Sequence, residues 1–248
     1  MPPVNYPTSD TIPEDHLRLA LRSPEPEARM ANARAGLAFP PEALEADTKV
    51  LLLRQVYIGQ LELHRFRAAV DTAGEMAAVG PLKDIALHDR ARAEQAMGDV
   101  SGAIASQRMA ARHAPAERRS FMLWSLATIQ HFSGDIEGAL GTIDKGLLIA
   151  GDDRALLKAH WAYICLENDE AVEDLKEVRA NLNAAKCGEG YGQYILGMIA
   201  YHMGDMKIAI VHLQHFLRRN ASVDAAKALT LREEFRRARL TLAELVSE

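Results

Sequence analysis

Several features that commonly point to a function are scarce in this chain of 248 residues. It has only two cysteines, Cys165 and Cys187, which cannot form a disulfide framework and favour a reducing compartment. The formal net charge of −5 argues against a basic surface that would bind nucleic acid or anionic membranes. The longest apolar runs, such as VLLL at 50–53, are too short to cross a bilayer. We therefore expect a cytoplasmic protein that neither inserts into membranes nor binds nucleic acid.

The N-terminal sequence MPPVNYPTSDTIPED has no basic stretch followed by an apolar one, so it does not predict a signal peptide. Residues 1–13 are rich in Pro, Ser, Thr and Asp, and we expect them to form a flexible segment. The preference for Ala, Arg and Leu is typical of GC-rich bacterial genomes, which suggests a bacterial source.

Strand signals are also scarce, because apolar and polar residues rarely alternate and β-branched clusters are few. Instead, apolar residues recur at spacings of three and four along most of the chain, which is the pattern of amphipathic helices. Short breaks such as SPEP, SGD and MGD separate these segments. This pattern predicts either a helical bundle or a helical repeat array.

A recurring turn motif favours the repeat array. The motif Gly-Asp-x-x-x-Ala begins at Gly98, Gly134 and Gly204, and the steps of 36 and 70 residues fit one and two periods of about 35. At the missing position the chain reads ENDEAVEDL, where Asn168 tolerates the left-handed conformation better than most residues. Around His64 it reads LHRFRAAV, without the glycine. The unit is therefore a helix-turn-helix hairpin.

The residues of the motif have separate roles in such a hairpin. Glycine ends the first helix because it adopts a positive φ at little cost, and the aspartate can cap the second helix. The segment GQYILGMIAYHMGDMKIAIVHL, residues 192–213, contains a further glycine, Gly197, inside the helical pattern. We interpret Gly197 as the small residue that lets the paired helix approach closely, and Gly204 as the turn.

These units resemble the tetratricopeptide repeat (TPR), whose repeat of about 34 residues carries Leu-Gly, turn-Gly and Ala signatures at fixed positions. The best match contains Leu196, Gly197, Gly204, Ala209 and Leu213. The resemblance implies an all-α fold, a TPR-like α-solenoid of about five to six helix-turn-helix repeats with a C-terminal capping helix.

The resemblance also implies the organisation of the chain after residue 13, as a single superhelical domain over 14–248. The expected repeats lie near 14–46, 48–81, 83–115, 117–150, 152–186 and 188–220, followed by a capping helix over 222–246. The repeat near 152–186 is degenerate, and its register stays open. The basic residues of REEFRRAR within the capping helix are interpreted as a solvated face.

In the TPR family the first helices of successive repeats line a concave groove that binds a partner peptide or helix. Mapping the groove-facing positions onto this chain gives a set that is aromatic toward its C-terminal half. The predicted partner-binding residues are Arg54, Ile58, His88, Arg92, Phe121, Trp124, Thr128, His131, Phe132, Tyr191, Tyr194, Met198, Tyr201 and His202. The degenerate repeat could add His160 and Tyr163. Packing of some of these aromatic residues against neighbouring repeats or the chain's own termini is an equal alternative.

Catalytic motifs are weak, and we predict neither an enzyme nor a cofactor or metal site. The glycines of CGEGYGQ, residues 187–193, lack the spacing and the preceding strand of a dinucleotide site, so the segment is interpreted as a flexible loop. His212 and His215 have no further ligands at a suitable spacing. The predicted function is a non-catalytic protein-protein interaction adaptor. Two alternatives stay open: a structural or self-associating subunit that uses its terminal helices, and, more remotely, an enzyme with a pocket inside the superhelix.

Overall fold

The computed structural model describes residues 12–185, 190–223 and 225–247, and in these ranges every regular element is a helix. Residues 1–11 of the expected flexible segment lie outside the described residues, and so do residues 187–189 of the expected loop. The last residues of that loop, 191–193, are helical instead and begin the helix Tyr191–His202. The α-helices are α1 (Pro13–Arg22), α2 (Pro26–Leu37), α3 (Ala46–Glu62), α4 (Phe66–Val79), α5 (Lys83–Met97), α6 (Val100–His113), α7 (Ala116–Phe132), α8 (Ile136–Leu147), α9 (Arg154–Glu167), α10 (Leu175–Ala184), α11 (Tyr191–His202), α12 (Met206–Arg219), α13 (Ala225–Thr230) and α14 (Arg232–Ser247). A short 3-10 helix, Pro41–Ala43, precedes α3.

The first twelve helices pack as consecutive antiparallel pairs, α1 with α2 through α11 with α12, which confirms the predicted all-α architecture. The segment expected as one capping helix over 222–246 is divided in the structure into α13 and α14, with Leu231 between them.

One hydrogen bond repeats at the turn inside five of these pairs. A backbone N–H just beyond the first helix donates to the carbonyl five residues earlier, as in a Schellman motif. The carbonyls belong to Gln60, Glu94, Gln130, Cys165 and Ala200, and the distances are 2.8 to 2.9 Å. The acceptors recur every 34 to 36 residues, so the same local geometry ends the first helix of each pair.

The residue that allows this turn has a positive φ in every case. It is Gly98, Gly134 and Gly204 where the sequence motif predicts it, and His64 where the motif lacks glycine. In the degenerate repeat, Asp169 takes the positive φ of 58°, whereas Asn168 remains at −107°. The predicted turn is therefore present there, one residue later than expected.

The chain forms two compact units, one ending at Ala114 and the other beginning at Pro115. In the first unit, Ala20, Ala33, Leu52 and Val56 form a buried cluster from α1, α2 and α3. The core of the second unit runs from α7 to α14 and includes residues such as Ile143, Ile195, Phe216 and Ala238. Helix α14 is therefore part of the apolar core of the second unit.

Candidate functional site

In the first unit, the predicted binding residue Arg54 has an intramolecular partner. Its Nε donates to Oδ2 of Asp89 at 2.9 Å, and the Asp89 side chain is only 3% exposed. The Tyr57 hydroxyl donates to the carbonyl oxygen of Asp89 at 2.6 Å. Burial raises the pKa of Asp89, while Arg54 and then Arg92 oppose that shift. The charge of Arg54 is thus largely balanced within the unit.

His88 is buried beside this ion pair, with its Nδ1 2.8 Å from Oε1 of Gln107. Burial, and next the charge of Arg92, lower its pKa to about 3, so His88 is neutral at neutral pH. Ile58 and Arg92 are half-buried.

In the second unit the predicted binding residues divide into two groups by exposure. The buried ones are Trp124, His131, Tyr191, Tyr194 and Met198, and the half-buried ones are Phe121, Thr128, Phe132, Tyr201 and His202. Trp124 packs edge-on against Tyr191 at a centroid distance of 4.8 Å, and Tyr194 is completely buried. These aromatic rings therefore form an internal cluster that joins α7 to α11.

A chain of polar contacts runs through this aromatic cluster. Nε2 of His160 lies 3.0 Å from Nδ1 of His131, and Nε2 of His131 lies 2.5 Å from Oε2 of Glu167. Neutral histidines satisfy both contacts when each Nε2 carries the proton and donates. His160 Nδ1 then has no hydrogen-bond partner among the described residues. The chain of contacts ends at the Glu167 carboxylate.

Helix α14 contributes Arg237 to this network. The Nη1 of Arg237 donates to Oε1 of Glu167 at 2.6 Å and to the Tyr163 hydroxyl at 3.1 Å. Its guanidinium carbon also lies 4.7 Å from the centroid of the Phe132 ring, in a cation–π contact. A single arginine of α14 therefore contacts α7 and α9 through three different side chains.

Further contacts of α14 extend along α11. The Tyr201 hydroxyl donates to Oε2 of Glu244 at 2.8 Å, and the Thr241 hydroxyl lies 3.9 Å from Sδ of Met198. We use the term α14-binding face for the surface formed by Phe132, Tyr163, Glu167, Met198 and Tyr201.

The apolar side of α14 packs into the core beside these polar contacts. Ala238 is completely buried, and the Phe235 ring lies 5.4 Å from that of Phe216 on α12. Leu242 is half-buried against the same core. Helix α14 therefore binds as an amphipathic helix, with an apolar stripe and charged anchors at Arg237 and Glu244.

The environment fixes the charges of the network at neutral pH. Burial, followed by His131 and Arg237, lowers the pKa of His160. Burial, followed by the charge of Glu167, raises the pKa of Tyr163 to about 12. For Glu167 the largest single effect is burial, which raises its pKa. The hydrogen bonds and charges of His131 and Arg237 together outweigh burial, so the pKa of Glu167 is lowered. The network thus holds a charged Glu167–Arg237 pair beside a neutral His160 ring and a neutral Tyr163 hydroxyl.

Two members of the network, Glu167 and Arg237, are not among the sequence-predicted site residues. The basic residues of REEFRRAR were expected to form a solvated face, and the Arg236 side chain, 56% exposed, agrees with that. Arg237 does not, because its side chain is only 20% exposed. The apolar spacing of Phe235, Ala238 and Leu242 marks α14 as amphipathic, but no local pattern names Glu167 as its partner.

Within the described ranges, no three His, Cys, Asp or Glu side chains are arranged to hold a metal ion. His212 places Nδ1 2.7 Å from Oε1 of Gln193. None of the described helices is both long enough and apolar enough to span a membrane.

Comparison with protein-family models finds no match, and comparison with curated proteins finds no significant match either. Solved structures do match. A structure of Pseudomonas aeruginosa PilF aligns with 89% of this chain and 97% of its own, with a TM-score of 0.58 and 12% identity. A subunit in the crystal structure of the APC/C hetero-tetramer Cut9–Hcn1 aligns with 94% of the present protein, with a TM-score of 0.54 and 14% identity. The aligned region is 52% of that subunit.

The TPR domain of P58(IPK) aligns with 95% of this chain and 68% of its own, with a TM-score of 0.36 and 16% identity. These structural neighbours are TPR proteins. At such low identities the likeness to PilF and to the Cut9–Hcn1 chain shows the fold alone, and it confirms that the fold is TPR-like.

Proposed function

We propose that this chain is a non-catalytic protein-interaction module whose second unit binds an amphipathic helix on the α14-binding face. The proposal rests on one observation, the packing of α14 on this face. Its Arg237 donates hydrogen bonds to Glu167 and Tyr163 and makes a cation–π contact with Phe132. Under this proposal α14 is an intramolecular occupant, and a partner helix of similar character takes its place.

The chemistry of the face is selective for a helix that carries an arginine. A guanidinium can pair with a carboxylate, donate to a hydroxyl and stack on an aromatic ring at once, whereas lysine offers only a compact point charge. Glu167 is half-buried and ionised, so a helix without a cation at this position would leave its charge with only the contact from His131. The partner helix is therefore expected to present an arginine beside a stripe of small and aromatic apolar residues.

The position of α14 in the chain makes an exchange feasible. It follows the last helix pair, so it can leave the face without breaking the backbone turns inside the pairs α7–α8, α9–α10 and α11–α12. The pairs also bury apolar residues of their own, including Ile143 and Leu182. The TPR-like fold supports the proposal because folds of this kind generally serve as protein-interaction modules.

A labelled peptide of residues 232–247 tests this proposal on the full-length protein. We expect weak binding to the wild type, because α14 already occupies the face. Arg237→Ala in the protein removes the anchor of α14 and should increase affinity for the wild-type peptide at least about tenfold, which corresponds to about 1.4 kcal/mol. The same peptide carrying Arg237→Ala should not bind, as measured by fluorescence anisotropy.

Arg236→Ala is the matched control, because this neighbouring arginine is exposed and contacts Glu233 within α14. The control protein should bind the peptide as weakly as the wild type does. Equal peptide affinity for the wild type, the Arg237→Ala protein and the control would refute the proposed helix-binding face.

A self-associating subunit is the second candidate, and the exposed apolar residues of α14 favour it. On α14, Leu240 is 51% exposed and Val246 is 76% exposed. Sedimentation analysis of the wild type and of Leu240→Asp distinguishes the two functions. A concentration-dependent dimer that the substitution abolishes supports self-association, and a monomer in both proteins rejects it.

A further inference from the structure

A groove on the surface of the second unit lies apart from the α14-binding face. It has a volume of about 550 Å³, which is within the range of small binding sites. One wall is α10, through Lys176, Arg179 and Asn183, and the other is α12, through Ile208 and Val211. We call it the α10–α12 groove.

The two walls present regular helix faces. Lys176, Arg179 and Asn183 follow one another at spacings of three and four, which places them along one side of α10. Ile208 and Val211 are likewise three residues apart on α12. A groove bounded by two helix faces is the shape into which the side-chain ridge of a third helix packs.

The groove combines a buried apolar floor with exposed apolar walls. Leu196 at its base is 2% exposed, whereas Val211 is 61% exposed, Met203 47% and Ile208 36%. Exposed apolar residues that occur singly need no explanation, but a group of three around one groove is typical of an interaction surface.

The charge of the groove has one sign. Lys176 and Arg179 line it, and no carboxylate does so among the lining residues that the structure describes. Neither cation forms an ion pair with a described residue, and Nη1 of Arg179 makes only a weak hydrogen bond to a described residue, at 3.8 Å to Sδ of Met203. The neighbouring carboxylate of Glu177 does not pair with Lys176. Its Oε1 accepts a hydrogen bond from Nδ2 of Asn181 at 3.4 Å, within α10. This basic rim stands out on a chain whose net charge is −5.

We propose that the α10–α12 groove is a second protein-binding site, which takes a short amphipathic helix with acidic residues from another protein. Apolar side chains of that helix pack on Met203, Ile208 and Val211, and its carboxylates pair with Lys176 and Arg179. The shape selects a helix, the exposed apolar walls supply the burial, and the basic rim selects acidic sequences. The site is independent of α14 and of the helix-binding function proposed above.

Two synthetic peptides of about 15 residues test this site on the full-length protein. Both carry leucines at helical spacing on one face. One has glutamates at the flanking positions and the other has lysines there. We expect the acidic peptide to bind, with an affinity that falls as salt is added, and the basic peptide to bind at least about tenfold more weakly.

Substitutions in the groove should abolish this binding. Val211→Asp and Arg179→Glu should each lower the affinity for the acidic peptide at least about tenfold. The matched controls are Leu148→Asp, at a side chain that is 85% exposed outside the groove, and Arg218→Glu, at an exposed arginine of α12 that does not line it. Both controls should bind like the wild type, and so should Arg237→Ala, which alters only the α14-binding face.

The proposal is overturned if the acidic peptide does not bind, if the basic peptide binds equally well, or if Val211→Asp and Leu148→Asp behave alike. A concentration-dependent dimer that disappears in Val211→Asp would also overturn it, because a second copy of this chain would then be the occupant. If the Arg237→Ala experiment fails while this one succeeds, the helix-binding face is refuted and the α10–α12 groove stands.

Discussion

Gly197 sets the distance between α11 and α12. A Cβ atom at this position would lie 2.6 Å from Cδ2 of Leu213 and 3.2 Å from its backbone nitrogen. Both distances are shorter than an ordinary contact between such atoms, and backbone cannot move aside as a flexible side chain can. The interpretation of Gly197 as a close-approach residue, drawn from the sequence, is confirmed.

Gly197→Ala should therefore destabilise the protein, although alanine is by itself the better helix former by about 1 kcal/mol. We expect overpacking to lower the free energy of unfolding by about 1 to 3 kcal/mol, measured by urea denaturation. Gly141→Ala in α8 is the control, because nothing lies within 4 Å of its added Cβ. That substitution should be neutral or stabilising. Equal effects at both positions would contradict the packing argument.

His160 makes the stability of the second unit depend on pH. Its pKa is lowered in the folded protein from the usual 6.5, chiefly by burial. The titratable and charged groups that face it are His131, Arg237 and the stacked ring of Tyr163, with Glu167 beyond His131. Below pH 6.5 the unfolded chain binds a proton that the folded chain does not, so the stability is complete above that pH and is lost as the pH falls below it. His88 acts in the same direction in the first unit.

His160→Gln removes the titrating ring and keeps a hydrogen-bond donor. We expect the urea midpoint of this variant to fall less steeply than that of the wild type between about pH 7 and 5. The slope that remains belongs to the other histidines whose pKa is lowered, His88, His202 and His212, and near pH 5 to carboxylates such as Glu167. The exposed His113 serves as control, and His113→Gln should keep the wild-type slope. An unchanged slope in His160→Gln would show that its protonation is not linked to unfolding.

At the scale of the element, the helix pairs differ in how their second helix begins. Asp135 accepts a hydrogen bond from the backbone N–H of Gly138 at 3.0 Å and another from Nε2 of Gln130 at 3.0 Å. Asp205 holds the same position in its repeat, yet its side chain makes no capping hydrogen bond. The Gly-Asp motif therefore predicts the turn at both sites, but the capping bond forms at only one of them.

Asp135→Ala should lower the free energy of unfolding by about 1 to 2 kcal/mol, because α8 loses its N-cap and Gln130 loses a partner. Asp205→Ala should cost about 0.5 kcal/mol or less, because no capping bond is lost. Thermal unfolding of both variants gives the comparison. A larger loss for Asp205→Ala would contradict the assignment of the caps.

Helix α14 is the element whose role sequence patterns described least well. Its amphipathic character could be predicted from the apolar spacing, and it was expected to cap the array with a solvated basic face. The burial of Arg237 depends on Glu167, which lies 70 residues earlier in the chain. No local pattern relates positions so far apart, because their approach follows from the packing of all the helices between them.

At the scale of the whole molecule, each of the two compact units has its own buried residues. In repeat arrays stability depends mainly on neighbouring repeats, so a local defect affects its surroundings more than distant parts. Leu52 in the first unit and Ile143 in the second are both completely buried.

Leu52→Ala and Ile143→Ala should each cost about 2 to 5 kcal/mol of local stability. Hydrogen exchange measured by mass spectrometry should show faster exchange mainly in the unit that carries the substitution. Each variant is the control for the other. If either substitution accelerated exchange equally in both units, the chain would unfold as one cooperative body.

The sequence alone was sufficient to predict the helices, their pairing and the turns at Gly98, Gly134 and Gly204. Helical periodicity and a positive φ depend on neighbouring residues, so a short stretch of sequence reveals them. It also placed Trp124, Tyr194 and Tyr201 on first helices of their repeats. It did not distinguish a buried ring from a binding surface, and Trp124 and Tyr194 lie in the core while Tyr201 contacts Glu244. Exposure depends on which distant element covers a residue, and here α14 covers part of the predicted groove. That arrangement results from long-range packing, which no short stretch of sequence encodes.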